Sequence, residues 1–264
     1  MVQSDRDCWW GDFEIPRDGP LVWMIGPLTL SIESIEFEWI LKYRYDALGD
    51  EDHDRCLVAA AGAPIEPPFE TERFAGSKGR SVRIVPALAD RPVVSRPEVP
   101  FRLLPGESTE MFIGTPLWFR IELPGKGIAI WELPLSRPSD TWFGPSTRVG
   151  ELCYATRTKA RLRERDVPIR PSRAVTQVTL SNAASDAMLL ERINLPVPIL
   201  SAFHKPHDNI WTNAITLERR DDGEMAELKI RPGPPASKPQ AVLLCKARVE
   251  GGNRMLRTLS SLLG

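Results

Sequence analysis

Five positively charged residues recur at every second position in one short segment of the sequence. They are Arg157, Lys159, Arg161, Arg163 and Arg165. Because side chains alternate between the two faces of a β-strand, a strand over residues 157–165 would place all five charges on one face and turn Ala160 and Leu162 to the other. A row of this kind can bind a polyanion or nucleic acid, because lysine and arginine neutralise phosphates.

The same row also has structural explanations. Like charges along a strand discourage edge-to-edge pairing between sheets. Glu36 and Glu38 share a face of another predicted strand and could stand opposite the cations as cross-strand pairs. Aromatic residues, which often stack on bases in nucleic-acid-binding proteins, are not interleaved with the cations. The formal net charge of the chain is -1, so the chain as a whole does not attract a polyanion and only this row could. The pattern therefore favours a structural or protein-contact role, with polyanion binding as the alternative.

A second group of residues could do chemistry with a metal ion. His204, His207 and Asp208 could offer two imidazoles and a carboxylate, but a zinc site needs a further ligand, and none stands at a suitable spacing. The sequence motifs of nucleophilic hydrolases, metalloproteases, phosphate loops and dinucleotide-binding folds are absent. We therefore predict no catalytic residue, metal or cofactor, and keep a metal-dependent hydrolase as a second alternative.

Two apolar features are candidates for contact with a partner. Trp142 and Phe143 stand in a turn-rich segment, residues 139–145, which predicts a loop where an exposed aromatic residue would be unusual. Leu256 and Leu259 follow a Gly-Gly-Asn break and fall, with other apolar residues, on one side of a predicted C-terminal amphipathic helix. A helix this short needs a surface to pack against, on this molecule or on another.

Alternating apolar and polar residues predict strands through much of the chain. Residues 21–25, 28–32 and 35–45 indicate a three-strand meander. Residues 116–123 and 128–133 indicate a hairpin, because the Pro-Gly-Lys-Gly sequence between them is typical of a turn.

The fold class that follows is all-β, with two β-sandwich-like domains and a short C-terminal amphipathic helix. Residues 1–165 hold seven of the eight tryptophans and form a Trp-rich β-domain. Residues 166–264 contain short strands at regular intervals, which favours an immunoglobulin-like β-sandwich that ends in the helix. Residues 86–105 contain five prolines and predict a stiff, extended connection on the surface of the first domain.

The remaining features indicate a cytoplasmic protein. The N-terminus is polar and acidic, and no segment is apolar for long enough to form a secretory signal or a transmembrane helix. The four cysteines are scattered without a C-x-x-C pair, so we expect buried, reduced thiols.

The sequence resembles a prokaryotic family that is known only as a domain of unknown function. The resemblance rests on Trp10-Gly11-Asp12-Phe13, Ile25-Gly26-Pro27-Leu28, Thr115-Pro116-Leu117-Trp118-Phe119 and residues 101–107, and it covers the first two thirds of the chain. It implies a bacterial or archaeal cytoplasmic origin and brings no activity or catalytic residue.

The function predicted from the sequence is that of a non-catalytic cytoplasmic interaction module or subunit. We expect it to bind a protein partner or to form a homo-oligomer through the basic row, the Trp142 segment and the C-terminal leucines.

Overall fold

The computed structural model describes residues 8–47, 54–60, 65–75, 79–97, 99–144, 146, 148–220, 226–250, 254–256 and 259–260, with the backbone alone for 157–159, 254–256 and 259–260. Over these residues the protein is all-β, as the sequence predicts. In chain order the strands are β1 (Gly11–Glu14), β2 (Leu21–Ile25), β3 (Leu28–Ile35), β4 (Glu38–Tyr45), β5 (Cys56–Ala60), β6 (Glu70–Ala75), β7 (Ser81–Ala87), β8 (Val93–Pro97), β9 (Phe101–Leu103), β10 (Ser108–Pro116), β11 (Trp118–Leu123), β12 (Ile128–Pro134), β13 (Ser139–Phe143), β14 (Glu151–Ala160), β15 (Arg173–Asn182), β16 (Met188–Leu190), β17 (Arg192–Leu195), β18 (Ala202–His204), β19 (Ile210–Thr212), β20 (Ile215–Arg219), β21 (Ala226–Ile230), β22 (Val242–Cys245), β23 (Arg254–Leu256) and β24 (Leu259–Ser260). Short 3-10 helices occur at Glu164–Asp166 and Val197–Ile199.

The chain forms two compact units, each assembled from separate stretches of sequence. The first consists of Met1–Ala87, Leu117–Arg137 and Arg170–Ser172, and the second of Leu88–Pro116, Pro138–Ile169 and Arg173–Gly264. This division differs from the predicted boundary at residue 166, because both units take residues from each side of it.

The first unit contains two antiparallel sheets in its described residues. One has the strand order β1-β7-β11-β12 and the other the order β5-β2-β3-β4-β6. The predicted meander is present as β2 to β4, and the predicted hairpin as β11 and β12. The third meander strand starts later than predicted, because the chain turns at Glu36, whose φ is 49°, and leaves Phe37 exposed.

Aromatic residues from both sheets form the core of the first unit. The Trp9 ring stacks on Phe119 of β11, with 5.8 Å between the ring centroids. The Trp23 ring of β2 meets Phe119 and Phe13 edge to face. The indole N–H of Trp23 donates to the Trp9 carbonyl at 3.1 Å, so the buried polar groups of these rings are also satisfied.

The second unit contains a larger sheet in the order β22-β18-β19-β15-β20-β21-β23, with β10 also paired to β15. A further sheet has the order β13-β14-β8-β17-β24, and β9 pairs with β16. The pairs β15–β19, β15–β20 and β14–β8 are parallel. These parallel pairs depart from the predicted immunoglobulin-like arrangement, whose sheets are antiparallel.

The proline-rich segment is not the surface connection that the sequence predicts. β8 lies inside a sheet, between β14 and β17, and both Val93 and Val94 are buried. Pro92 precedes this strand and Pro97 ends it, and at these positions the missing backbone N–H removes little hydrogen bonding from the sheet. A prediction based on proline content therefore misses the strand.

The predicted C-terminal helix is wrong for the described residues of the tail. Leu256 ends β23, which pairs with β21, and Leu259 begins β24, which pairs with β17. An isolated helix of one or two turns is only marginally stable in water. Pairing with neighbouring strands instead satisfies the backbone N–H and C=O groups.

The cysteines only partly follow the prediction of buried thiols. Cys153 and Cys245 are buried and Cys8 is half-buried, but Cys56 is exposed at the start of β5. All four are free thiols.

Candidate functional site

The basic row does not form one continuous strand. β14 ends at Ala160, Arg161 forms a single antiparallel bridge with Phe112, and the chain then enters the 3-10 helix at Glu164–Asp166. Ala160 is buried as expected, but Leu162 is 60% exposed, so the predicted apolar face does not persist beyond the strand. The side chains of Arg157 and Lys159 lie outside the described residues.

The predicted partners of the row, Glu36 and Glu38, belong to the first unit, whereas the row belongs to the second. Glu38 belongs to β4, which pairs with β3 and β6, whereas β14 pairs with β13 and β8. The carboxylate of Glu38 accepts hydrogen bonds from Arg73, with 2.7 Å between Nη2 and Oε1. β4 and β14 are therefore not neighbouring strands, and the predicted cross-strand pairing of these glutamates with the basic row is wrong.

Instead, Glu164, which stands between Arg163 and Arg165 of the row, takes part in a half-buried ion-pair cluster, and we call it the Lys238 cluster. It consists of Lys238, Glu164, Asp208 and Trp211. The Lys238 ammonium lies 2.8 Å from Glu164 Oε1, 2.9 Å from Asp208 Oδ2 and 4.9 Å from the centre of the Trp211 ring. The Trp211 indole N–H donates to Asp208 Oδ1 at 3.1 Å. Through Glu164, the cluster holds the end of the basic row beside the buried Trp211.

The contacts within this cluster favour the ionised forms of Asp208 and Lys238. Burial alone would raise the pKa of Asp208, but hydrogen bonds from Lys238, Trp211 and the Asn209 backbone N–H outweigh it and place the pKa below its ordinary value. Burial alone would lower the pKa of Lys238, but hydrogen bonds to Glu164 and Asp208 outweigh it and raise the pKa. A lysine held protonated in this way is a poor general base or nucleophile.

The candidate metal ligands His204, His207 and Asp208 do not form a metal site within the described residues. Asp208 is engaged by Lys238 and Trp211, and His207 has a φ of 59° in the turn after β18. Burial lowers the pKa of His204. Within the part of the chain that the structure describes, no group of three or more histidine, cysteine, aspartate or glutamate residues could hold a metal ion.

Trp142 lies on a strand, β13, rather than in the predicted loop. Its partner across the antiparallel pair is Leu152 of β14, so the two side chains stand side by side on one face of the sheet. Trp142 is 37% exposed and Leu152 is 43% exposed. Phe143, predicted as a contact residue, is only 1% exposed, because the next position of the strand turns inward, where it packs with Val94 and Cys153.

Polar residues border this apolar pair on the same face. Asp140 pairs with Tyr154 across the two strands. The Arg91 guanidinium lies 5.2 Å from the centre of the Tyr154 ring and donates to Asp140 Oδ1 at 3.3 Å. We call the five residues Trp142, Leu152, Tyr154, Asp140 and Arg91 the Trp142 face.

The turn between β13 and β14 holds the Trp142 ring in place. The indole N–H of Trp142 donates to the Ser146 carbonyl at 2.9 Å. A Cβ on Gly150 would lie 2.3 Å from Trp142 Nε1, and one on Gly144 would lie 2.5 Å from the Gly150 Cα. These two positions require glycine because backbone and ring approach so closely.

A family model described as "Protein of unknown function (DUF432)" matches residues 9–262. The chain belongs to this family. No curated protein and no solved structure matched the chain. Membership of DUF432 confirms the resemblance to a family of unknown function.

The DUF432 fold brings together residues that sequence reasoning missed. Lys238 stands in a proline-rich stretch with no periodic pattern, and its carboxylate partners are distant in sequence, so no local signal marks the Lys238 cluster. Leu152 and Tyr154 do alternate along β14, but Cys153 and Ala155 are also apolar, so the pattern does not say which face is exposed.

The sequence-predicted site residues do not converge on one place. Trp142 lies on β13, Arg161 bridges to β10, and Leu256 and Leu259 lie on strands paired with β21 and β17. None of the helices in the described residues is long and apolar enough to cross a membrane.

Proposed function

We propose that this DUF432 protein is a non-catalytic interaction module or subunit of the prokaryotic cytoplasm, built on sandwich-like β-units. It binds a protein partner, or a second copy of itself, through the Trp142 face. The observation that carries the proposal is the pair of Trp142 and Leu152, which stand directly opposite each other on neighbouring strands with both side chains exposed.

The composition of the Trp142 face matches that of energetically important protein contacts. Tryptophan, tyrosine and arginine are enriched among residues that dominate binding free energy, and a polar rim commonly surrounds them. Here an apolar pair adjoins Tyr154, Arg91 and Asp140, whose mutual contacts hold them in one arrangement. Side chains that are ordered before binding lose less entropy when a partner docks.

The titratable groups support binding over catalysis. In the Lys238 cluster, each charged member already has an opposite charge within 3 Å. Such a cluster stabilises the folded chain, and its lysine, whose pKa is raised, is a poor proton acceptor at neutral pH.

Polyanion binding through the basic row receives less support from the described residues. Arg163 and Arg165 are exposed, but Arg165 lies 3.9 Å from the carboxylate of Asp166. Exposed arginines elsewhere are also paired, as Arg73 is with Glu38 and Arg137 with Glu70. A carboxylate beside a cation, as Asp166 is beside Arg165, reduces the positive potential that a phosphate chain requires.

The test of the proposed function is the substitution Leu152→Lys, which places a charge in the centre of the Trp142 face without emptying a buried site. The probe is a photo-crosslinking amino acid at Val149, an exposed neighbour of the face, in protein expressed in its source cells. We expect one defined crosslinked protein, and a loss of at least about tenfold in its yield with Leu152→Lys, because a buried unpaired charge weakens an interface.

Leu162→Lys is the matched control, because Leu162 is also exposed and lies outside the Trp142 face. It should leave the crosslink unchanged. Equal yields from Leu152→Lys and Leu162→Lys would contradict the proposal. If the protein instead binds oligonucleotides, with an affinity that falls steeply between about 50 and 200 mM salt and is lost in Arg163→Glu/Arg165→Glu, the polyanion alternative replaces it.

A further inference from the structure

The four free cysteines divide evenly between the two units. Cys8, which is half-buried just before β1, and Cys56, which is exposed at the start of β5, belong to the first unit. Cys153 and Cys245 belong to the second unit and are both buried. Buried cysteines are generally inert, so Cys8 and Cys56 are the two thiols that a small reagent in solution reaches most readily.

The pairing of β2 with β5 places the Cys56 side chain on the inner face of its sheet. Cys56 stands directly opposite Ile25, and two residues further along the strand Val58 stands opposite Trp23. Residues that are directly opposite each other project from the same face of a sheet, and Ile25, Val58 and Trp23 are all buried. Cys56 therefore lies at the exposed margin of this inner face.

The N-terminal segment brings Cys8 to the same face. The Trp23 indole N–H donates to the carbonyl of Trp9, the residue next to Cys8, at 3.1 Å. The Cys8 thiol donates to the Trp10 carbonyl, with 3.5 Å between sulfur and oxygen. Consecutive Cα atoms are only about 3.8 Å apart, so the contact at Trp9 keeps Cys8 beside β2, the strand that pairs with β5.

The electrostatics of the two thiols agree with this placement. Burial of the Cys56 sulfur and, after it, the charge of Cys8 raise the pKa of Cys56 to about 11. Like charges change each other's pKa when only a few ångströms separate them. Strand register, the indole contact and this interaction therefore all place Cys8 and Cys56 beside each other.

We infer that Cys8 and Cys56 are a site of oxidative modification, at which hydrogen peroxide converts the two thiols into a reversible disulfide within one chain. The bond ties the segment before β1 to β5, the edge strand of its sheet. Disulfides of cytosolic proteins are usually transient and often sense the redox state of the cell, which is the role that such a pair would have.

The reaction consumes one molecule of hydrogen peroxide for each pair of thiols. Because Cys56 with its raised pKa stays protonated at neutral pH, the Cys8 sulfur attacks the peroxide as the thiolate. An S–O bond forms at Cys8, the O–O bond breaks, and the departing hydroxide takes up a proton to become water. The Cys56 sulfur then loses its proton and attacks the Cys8 sulfur, so that the S–S bond forms, the S–O bond breaks and a second water leaves. The two thiols lose two electrons, and the peroxide gains them.

The experiment treats the full chain with hydrogen peroxide and maps its cysteines by mass spectrometry without reduction. Trypsin separates the two residues into peptides 7–17 and 56–73. We expect these two peptides joined by a disulfide, while Cys153 and Cys245 stay reduced because they are buried. The yield should not depend on protein concentration, because the bond forms within one chain, and dithiothreitol should restore all four thiols.

Serine variants test the role of each sulfur. Cys8→Ser and Cys56→Ser should each abolish the joined peptides, and Cys8→Ser should slow the loss of the Cys56 thiol at least about tenfold, because a protonated thiol reacts poorly. Leu152→Lys is the control, because it alters only the Trp142 face, on strands of the second unit, and should oxidise like wild type. Separate peptides after peroxide treatment, a disulfide between two chains, or an equally rapid loss of the Cys56 thiol in Cys8→Ser would overturn the inference.

Discussion

Asp208 shows at the residue scale how one carboxylate can organise its surroundings. It accepts hydrogen bonds from the Lys238 ammonium, the Trp211 indole and the Asn209 backbone N–H. Because the net of these contacts lowers its pKa from the ordinary 3.8, the folded state favours the carboxylate. A group with a lowered pKa adds stability above the pKa of the unfolded chain, and this contribution is lost as the pH falls through the folded value.

The substitution Asp208→Asn tests this linkage. At neutral pH it should lower the free energy of unfolding by about 1 to 2 kcal/mol, the value of a charge-assisted hydrogen bond after allowance for partial exposure. The difference from wild type should shrink as the pH falls below 3.8, because Asp208 of the wild type then becomes neutral as well. Urea unfolding between about pH 3 and pH 7 measures both quantities, a range in which the carboxyl groups titrate.

Asp18→Asn is the control for this prediction, because Asp18 is exposed in the turn before β2. It should change stability little at any pH. A constant difference between Asp208→Asn and wild type across the pH range would contradict the linkage.

At the scale of elements, the hairpin of β13 and β14 depends on how closely its two ends approach. Gly150 lies against both the Trp142 ring and the Phe143 carbonyl, where a Cβ would be 2.6 Å from the oxygen. A backbone carbonyl cannot move aside as the end of a flexible side chain can. The turn therefore fixes the orientation of Trp142, and with it the geometry of the Trp142 face.

Gly150→Ala should lower the free energy of unfolding by about 1 to 3 kcal/mol, the usual cost of overpacking a filled site. Gly79→Ala is the matched control, because nothing lies within 4 Å of a Cβ at that position. Chemical denaturation of both variants measures the effect. Similar stability of the two variants would show that the turn can relax, contrary to this prediction.

The elements also show which parts of the fold the sequence could predict. The meander of β2 to β4 and the hairpin of β11 and β12 were predictable because their partners are adjacent in sequence and their turns contain glycine and proline. β8 was missed because prolines frame it and its partners, β14 and β17, come much later in the chain. The leucine spacing around Leu256 fits a helix, but pairing with β21 overrides that local preference.

The same limit applies to the candidate site. The sequence marks Trp142 as an unusual aromatic residue, and its side chain is partly exposed. Its neighbour Phe143 was predicted as a contact residue but is buried, because adjacent residues of a strand point to opposite faces. Lys238 and Asp208 meet only through the tertiary fold, so their contact leaves no pattern in the sequence.

At the scale of the whole molecule, the chain passes repeatedly between its two units. Pro171 belongs to the first unit, where its carbonyl accepts a hydrogen bond from the Trp9 indole at 2.9 Å. In the same segment the Ser172 carbonyl accepts one from the Leu117 N–H. The first unit therefore needs residues that follow position 166, and the second needs β8, β10 and β14 that precede it.

We expect that fragments 1–165 and 166–264 do not fold separately. The first would lack the acceptors for Trp9 and Leu117, and β10 would lose its long pairing with β15. Each fragment alone should give poorly dispersed amide NMR signals, while co-expression should restore a complex with the spectrum of the intact chain. A cooperative unfolding transition in either isolated fragment would contradict this expectation.

The tight turn between β11 and β12 has a practical consequence for experiments on this protein. Gly125 and Gly127 flank Lys126 there, and nothing lies within 4 Å of a Cβ built on either glycine. Exposed loop tips with open surroundings tolerate inserted sequence well. An affinity tag or fluorescent label placed at this tip would report on the protein without interrupting a strand, because Lys126 lies between the end of β11 and the start of β12.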